Sequence, residues 1–93
     1  MTGKVFYEWV IEQVDEYGDI QDVSHYDTFA QAMTARDRRL AIGEYDCVEI
    51  ACIRVVCDGD SRGYAYVNLD NMTIDSHYCC GSKVPKHIIK QVA

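Results

Sequence analysis

Hydrophobic and polar residues alternate from Val5 to Val14, with Val5, Tyr7, Trp9 and Ile11 on one side and Phe6, Glu8, Val10 and Glu12 on the other. A period of two with one thoroughly apolar side predicts a β-strand. Asp15-Glu16-Tyr17-Gly18-Asp19 has turn chemistry, and Ile20 to Tyr26 resumes as a second strand. So short a connection makes the pair an antiparallel hairpin. The period then changes. Asp27-Thr28-Phe29-Ala30-Gln31 opens a helix, with Thr28 as N-cap and Gln31 three residues on in the arrangement of a capping box. The helix is expected to run to Ile42 and stop at Gly43, which can take the left-handed C-terminal conformation. Phe29, Ala32, Met33 and Leu40 form its apolar stripe, and Arg36 falls in the middle of that stripe. A long arginine stem can cover the sheet there while the guanidinium reaches water. The alternatives are a buried ion pair and a ligand contact.

Val48 to Val56 is rich in β-branched residues and cysteine, which suits a central strand covered on both faces. Asp58-Gly59-Asp60-Ser61-Arg62-Gly63 reads as a loop and Tyr64 to Leu69 as the returning strand. Asp70-Asn71 reads as a turn and Thr73 to Cys79 as a fifth strand. Gly81-Ser82-Lys83 ends that segment, and Pro85 suits the first turn of a short helix carrying Ile88, Ile89 and Val92. The order is ββαβββα. This is an α+β fold, a small antiparallel sheet of four to five strands with one main helix packed on it and a short C-terminal helix.

At 93 residues, 48% hydrophobic and 26% charged, the composition is that of one globular domain spanning residues 1–93. No stretch approaches the roughly 20 apolar residues that cross a bilayer. Charge also interrupts any signal-peptide core near the N-terminus, so a cytoplasmic protein is expected. In a reducing compartment the five cysteines, Cys47, Cys52, Cys57, Cys79 and Cys80, read as small core residues. Those of the third strand lie five apart and alternate between faces, which gives no chelating pair.

Candidate chemistry is sparse. His25, His77 and His87 lie in no nucleophile or base motif, so no catalytic residue and no cofactor is assigned. His77, Cys79, Cys80 and His87 form the best metal-ligand cluster, but adjacent cysteines cannot easily chelate one ion, and no metal is assigned. The 58–63 loop places carboxylates where a phosphate would bind. With 15 acidic against nine basic residues and a formal charge of −6, direct nucleic-acid binding is not expected either.

The charge is uneven. From Val5 to Ala35 there are seven acids (Glu8, Glu12, Asp15, Glu16, Asp19, Asp22 and Asp27) and no lysine or arginine. A hairpin with so many carboxylates and no local counter-ion makes a one-signed field that steers association with basic surfaces. Glu12, Asp15, Glu16, Tyr17, Asp19, Asp22 and Asp27 are therefore the candidate partner-binding residues, with tyrosine as an interface anchor. Phe6-Tyr7-Glu8-Trp9-Val10-Ile11, Tyr17-Gly18-Asp19-Ile20 and Asp27-Thr28-Phe29, within the first third of the chain, resemble small acidic accessory proteins of phages and mobile elements, of the anti-CRISPR inhibitor type. That resemblance implies a non-enzymatic inhibitor acting in the host cytoplasm on a protein's nucleic-acid site, and it assigns no residue. The reading is a protein-binding module, monomer or homodimer, whose acidic hairpin docks on a basic protein surface. Two others stand beside it. One is a sensing or sequestering domain with a small-molecule pocket between sheet and helix, lined by Arg36 and tyrosines. The other is a structural subunit that dimerises through a sheet edge.

Overall fold

A computed structural model describes residues 4–43, 47–57 and 62–93. Its elements are β1 (Val5–Val14), β2 (Ile20–Tyr26), α1 (Phe29–Ile42), β3 (Cys47–Val56), β4 (Gly63–Asn68), β5 (Thr73–Ile74) and α2 (Lys86–Val92). All strand pairs are antiparallel and the sheet order is β2-β1-β3-β4-β5. The expected order ββαβββα and the α+β class are both observed.

Where the signals are local, residues and elements agree closely. The Thr28 hydroxyl accepts from Gln31 N, and the Gln31 side chain accepts from the Thr28 N–H, closing the capping box. Gly43 sits at φ 77° and sends its N–H to Leu40 O, a left-handed C-terminal turn that a side chain would strain. In the hairpin, Asp15 Oδ1 accepts from the backbone N–H groups of Tyr17 and Asp19, and Asp15 Oδ2 accepts from Gln21 Nε2. The register shifts between Gln13 and Val14, because Gln13 faces Asp22 while Val14 faces Ile20, leaving Gln21 as the extra residue of a bulge.

Both helices lie on one face of the sheet. Trp9, Ile11, Ile50 and Cys52 pack there against Phe29 and Ala32 of α1 and Ile88 and Val92 of α2. The Trp9 and Phe29 rings meet at 5.0 Å and 56°. Gln91 Oε1 accepts from Phe29 N at 3.0 Å, so α2 satisfies a backbone donor of the first turn of α1. Arg36 lies in the stripe as expected. Its Nε donates to Val48 O, and its Nη1 reaches Asp37 at 3.4 Å. The arginine thus serves a β3 carbonyl beyond the Ala51–Arg54 stretch that pairs with β4.

Three expectations need correction or bounding. The fifth strand is only Thr73–Ile74 and does not reach Cys79. Ser76 to Val84 instead form a compact turn held by Tyr78 N to Ser82 O (2.8 Å), Gly81 N to Tyr78 O (2.8 Å) and Val84 N to Ser76 O (3.0 Å). The cysteines are not mainly core: Cys52 is buried, whereas Cys47, Cys57, Cys79 and Cys80 are exposed. Of the loop expected at 58–63, residues 58–61 lie outside the described residues, and Gly63 already belongs to β4.

Candidate docking surface

The face of the sheet away from the helices is built by even-numbered positions of β1 and β4 and odd-numbered positions of β3. Val10, Ala51 and Ile53 lie at its centre with exposures of 0%, 0% and 4%, packed with Val55 and Tyr64 into a second, smaller cluster. No helix among the described residues covers them. The roof comes from the sheet's own long side chains, and the Tyr64 and Tyr66 rings stack at 6.1 Å and 23° beside the cluster. β1 is therefore covered on both faces along its middle, although its sequence shows only one thoroughly apolar side.

Towards the hairpin end this face becomes acidic. Glu12 stands directly opposite Glu49 of β3 and opposite Val23 of β2. Like charges directly opposite on one face are destabilising. Glu12 is nonetheless 4% exposed, with the Tyr66 hydroxyl donating to both of its oxygens at 3.2 and 3.3 Å. Burial raises the Glu12 carboxyl above the usual carboxylate range, the Tyr66 hydrogen bond opposes this, and the Glu49 charge adds to it. The Tyr66 phenol is pushed up to about 12, first by desolvation and then by the Glu12 and Glu49 charges, so at neutral pH it remains a donor. No strand position on this face among the described residues is a lysine or arginine. Of the nearby bases, His25 binds Glu8 through Nδ1 at 2.9 Å, and Arg36 is held by Val48 O and Asp37.

Glu12 has a measurable consequence. Between the usual carboxylate range and its raised native value, the folded chain holds a proton that the unfolded chain has lost. Stability contributed by this group is thus complete at low pH and falls as pH rises through the native value. Glu12→Gln keeps an acceptor for Tyr66 and removes the charge opposite Glu49. The variant should be more stable than wild type by about 0.5–1 kcal/mol at neutral pH, and the difference should vanish near pH 4. Urea denaturation at both pH values reads this out, and a difference that does not change with pH contradicts the assignment.

The seven candidate residues fall in different places. Glu16, Tyr17 and Asp19 form the exposed hairpin tip, Tyr17 being 81% exposed. Ile20 (55%), Val23 (39%) and Tyr66 (42%) connect the tip to Glu12 and Glu49 through a strip of exposed apolar surface. Asp15 is taken up by the turn. Asp22 points to the helix side, where Arg39 Nη1 reaches it at 3.2 Å and Gln13 Nε2 also donates to it. α1 thus returns a counter-ion to a hairpin that has none in its own sequence. Asp27 flanks the N-cap of α1, and its backbone N–H donates to Gln31 Oε1. Sequence reasoning missed Glu49 and Tyr66. Only the alternation of β3 and β4 could have placed them on the same face as Glu12, Glu49 directly opposite it and Tyr66 one strand further on, opposite Ala51.

Two grooves flank these elements. One of about 940 Å³ runs between β2 and α1, past Tyr26, Ala30, Thr34, Arg38 and Arg39. A cleft of about 600 Å³ lies beside β3 where β4 has left it, lined by Arg36, Glu49, Tyr66, Asn68, Asp70 and Asp75 among others. The sheet–helix pocket expected to hold Arg36 thus has Arg38 and Arg39, and Arg36 belongs to the second cleft. The β2 edge is seven residues long, against two for β5 at the other end of the sheet.

His77 Nδ1 meets Ser76 Oγ at 3.0 Å and His87 packs edge-on to Tyr7, and the described residues contain no group of three metal-ligating side chains. Hydrogen bonds from the Ser82 backbone and hydroxyl lower the exposed Cys80 thiol below its ordinary value. No helix among the described residues is long and apolar enough to cross a membrane. No protein family, curated protein or solved structure matches the chain.

Proposed function

We propose that the protein is a non-enzymatic binding module that docks on a basic surface of a protein partner through the helix-free face of its sheet and the adjoining hairpin tip. The observation that carries this reading is the Glu12–Glu49 pair, two carboxylates directly opposed across the β1–β3 ladder and in no ion pair among the described residues, Arg36 of the adjoining cleft being taken up by Val48 O and Asp37. An isolated fold gains nothing from that arrangement, whereas a basic partner converts the repulsion into attraction on contact. The exposed Tyr17, Ile20, Val23 and Tyr66 supply the apolar and aromatic area of an interface centre, and Glu16 and Asp19 an acidic rim. Nucleic-acid-binding grooves of proteins are basic surfaces of this kind. An inhibitor of the phage type, acting in a host cytoplasm by covering such a groove, is the specific function the reading favours.

Charge reversal at matched sites tests it. Asp15 is unsuitable because it holds the turn, and Asp22 because it joins both Arg39 and Gln13 to the hairpin. The comparison therefore uses Glu49→Lys on the face and Asp37→Lys on the helix side, both exposed, the latter losing only a 3.4 Å surface contact with Arg36 worth about 0–1 kcal/mol. With a partner captured from host lysate, Glu49→Lys should weaken binding at least about ten-fold while relieving the repulsion at Glu12. Asp37→Lys should stay within about three-fold, and wild-type affinity should fall steeply with salt. Equal effects of the two substitutions, or none from Glu49→Lys, would remove the face from the interface.

A further inference from the structure

We infer that the helix-free face is a receptor for arginine, in which a guanidinium of the partner seats between Glu12 and Glu49 with its plane against the Tyr64–Tyr66 pair. The inference deepens the docking reading above and rests on it. A cation is called for because two carboxylates stand opposite each other, and one of them is 4% exposed with only a neutral phenol as its hydrogen-bond partner.

Which cation fits is decided by the surroundings. A metal ion requires several ligands converging on one point, and no group of three histidine, cysteine, aspartate or glutamate side chains among the described residues does so. A lysine ammonium is compact and strongly hydrated, so stripping it of water beside a nearly buried carboxylate is costly. A guanidinium is more weakly hydrated, carries five donors in one plane, and stacks on aromatic faces. The site offers both complements of that shape. Glu12 and Glu49 present acceptors from adjacent strands, and the tyrosine rings lie nearly parallel 6.1 Å apart next to them. The way in is open as well. β4 pairs with β3 only over Ala51–Arg54, so the cleft beside Cys47–Ile50 leads to Glu49 and Tyr66. Asp70 and Asp75 on its wall outnumber its one cation, Arg36, whose guanidinium is held by Val48 O and Asp37, and so attract a basic chain.

The test is a heteronuclear NMR titration of the whole protein with two peptides, acetyl-Gly-Arg-Gly-Arg-Gly-amide and its lysine counterpart. The arginine peptide should shift the amide signals of Glu12, Glu49 and Tyr66 and bind at least about five-fold more tightly than the lysine peptide. Glu49→Gln, at an exposed position, should abolish that preference while the remaining signals keep their dispersion. Equal affinity for the two peptides, with shifts on this face, overturns the arginine assignment and leaves the basic-partner reading standing. Shifts confined to the hairpin tip overturn the receptor and keep only the tip as a docking site. No shift with either peptide overturns both. Calcium chloride reproducing the arginine shifts and displacing the peptide assigns the carboxylates to a metal ion and overturns the inference as well.

Discussion

Replacing Trp9 by alanine is expected to remove about 3–5 kcal/mol of stability, the usual loss when a buried aromatic is truncated to a methyl. Trp9 is 1% exposed and stands at the crossing of the fold. Tyr26 of β2 is its partner on one side and Cys52 of β3 on the other. Phe29, the first residue of α1, meets its ring at 5.0 Å. The indole therefore ties the hairpin, the central strand and the start of the main helix to one another. A domain of this size has a total stability of roughly 5–14 kcal/mol, so the loss takes a large share of it. The thermal midpoint should fall by about 15–30 °C, read by far-ultraviolet circular dichroism. Neighbouring side chains could fill part of the space, but Phe29 is fixed by the capped helix end and Cys52 by its ladder, so relaxation is limited. A loss below about 1 kcal/mol would mean that the packing around Trp9 is not the centre of the core.

That position was readable from the chain, because its cause is local. The alternation of β1 assigns Trp9 to the apolar side. Thr28, Gln31 and Gly43 delimit α1 by hydrogen bonds that close within four residues. Strand and helix limits set by such signals match the structure: Val5–Val14, Ile20–Tyr26 and Phe29–Ile42. Features that depend on distant residues were not readable. Glu12 is buried because Tyr66, 54 positions away, reaches over it. Asp22 is paired because α1 folds back and brings Arg39 to it. The acidic run in the first third of the chain is thus divided by the fold into three groups. Some carboxylates are engaged locally (Asp15 in the turn, Asp22 with Arg39, Glu8 with His25, Asp27 beside the helix cap), some stand exposed at the tip (Glu16, Asp19), and one is held opposite a like charge on the sheet (Glu12). Counting charges along the sequence treats these alike. The docking reading survives the division because the carboxylates of the tip and of the open face remain joined by exposed apolar residues.

The C-terminal third shows the same limit, and it yields the second large expected effect. Thr73 to Cys79 has the composition of a strand, yet the chain leaves the sheet after Ile74 and turns through Tyr78 to Ser82. Gly63, which reads from sequence as the end of a loop, is what the turn rests on. A Cβ at Gly63 would lie 2.7 Å from Tyr78 Cβ and 2.7 Å from Cys80 Sγ, closer than such atoms approach. Neither side can yield freely. Gly63 is in register with Arg54 of β3, and the turn is bound to β4 through Cys79 N to Tyr64 O at 3.0 Å. Tyr78 is itself 2% exposed, stacks with Tyr7 and touches Cys52 Sγ with its hydroxyl, so lifting the turn uncovers one end of the main core. Two effects favour a larger residue at this position. A β-branched side chain suits a strand by up to about 1 kcal/mol, and replacing glycine restricts the unfolded chain by about 0.4–1 kcal/mol. Overpacking costs about 1–3 kcal/mol, and displacing an aromatic that buries on the order of 150–250 Å² adds to it. The cost outweighs the gain. Gly63→Val should lower stability by about 2–3 kcal/mol in urea denaturation and raise the reactivity of the buried Cys52 towards iodoacetamide, as Tyr78 is lifted off it. A stabilised variant would show that the turn does not rest on Gly63.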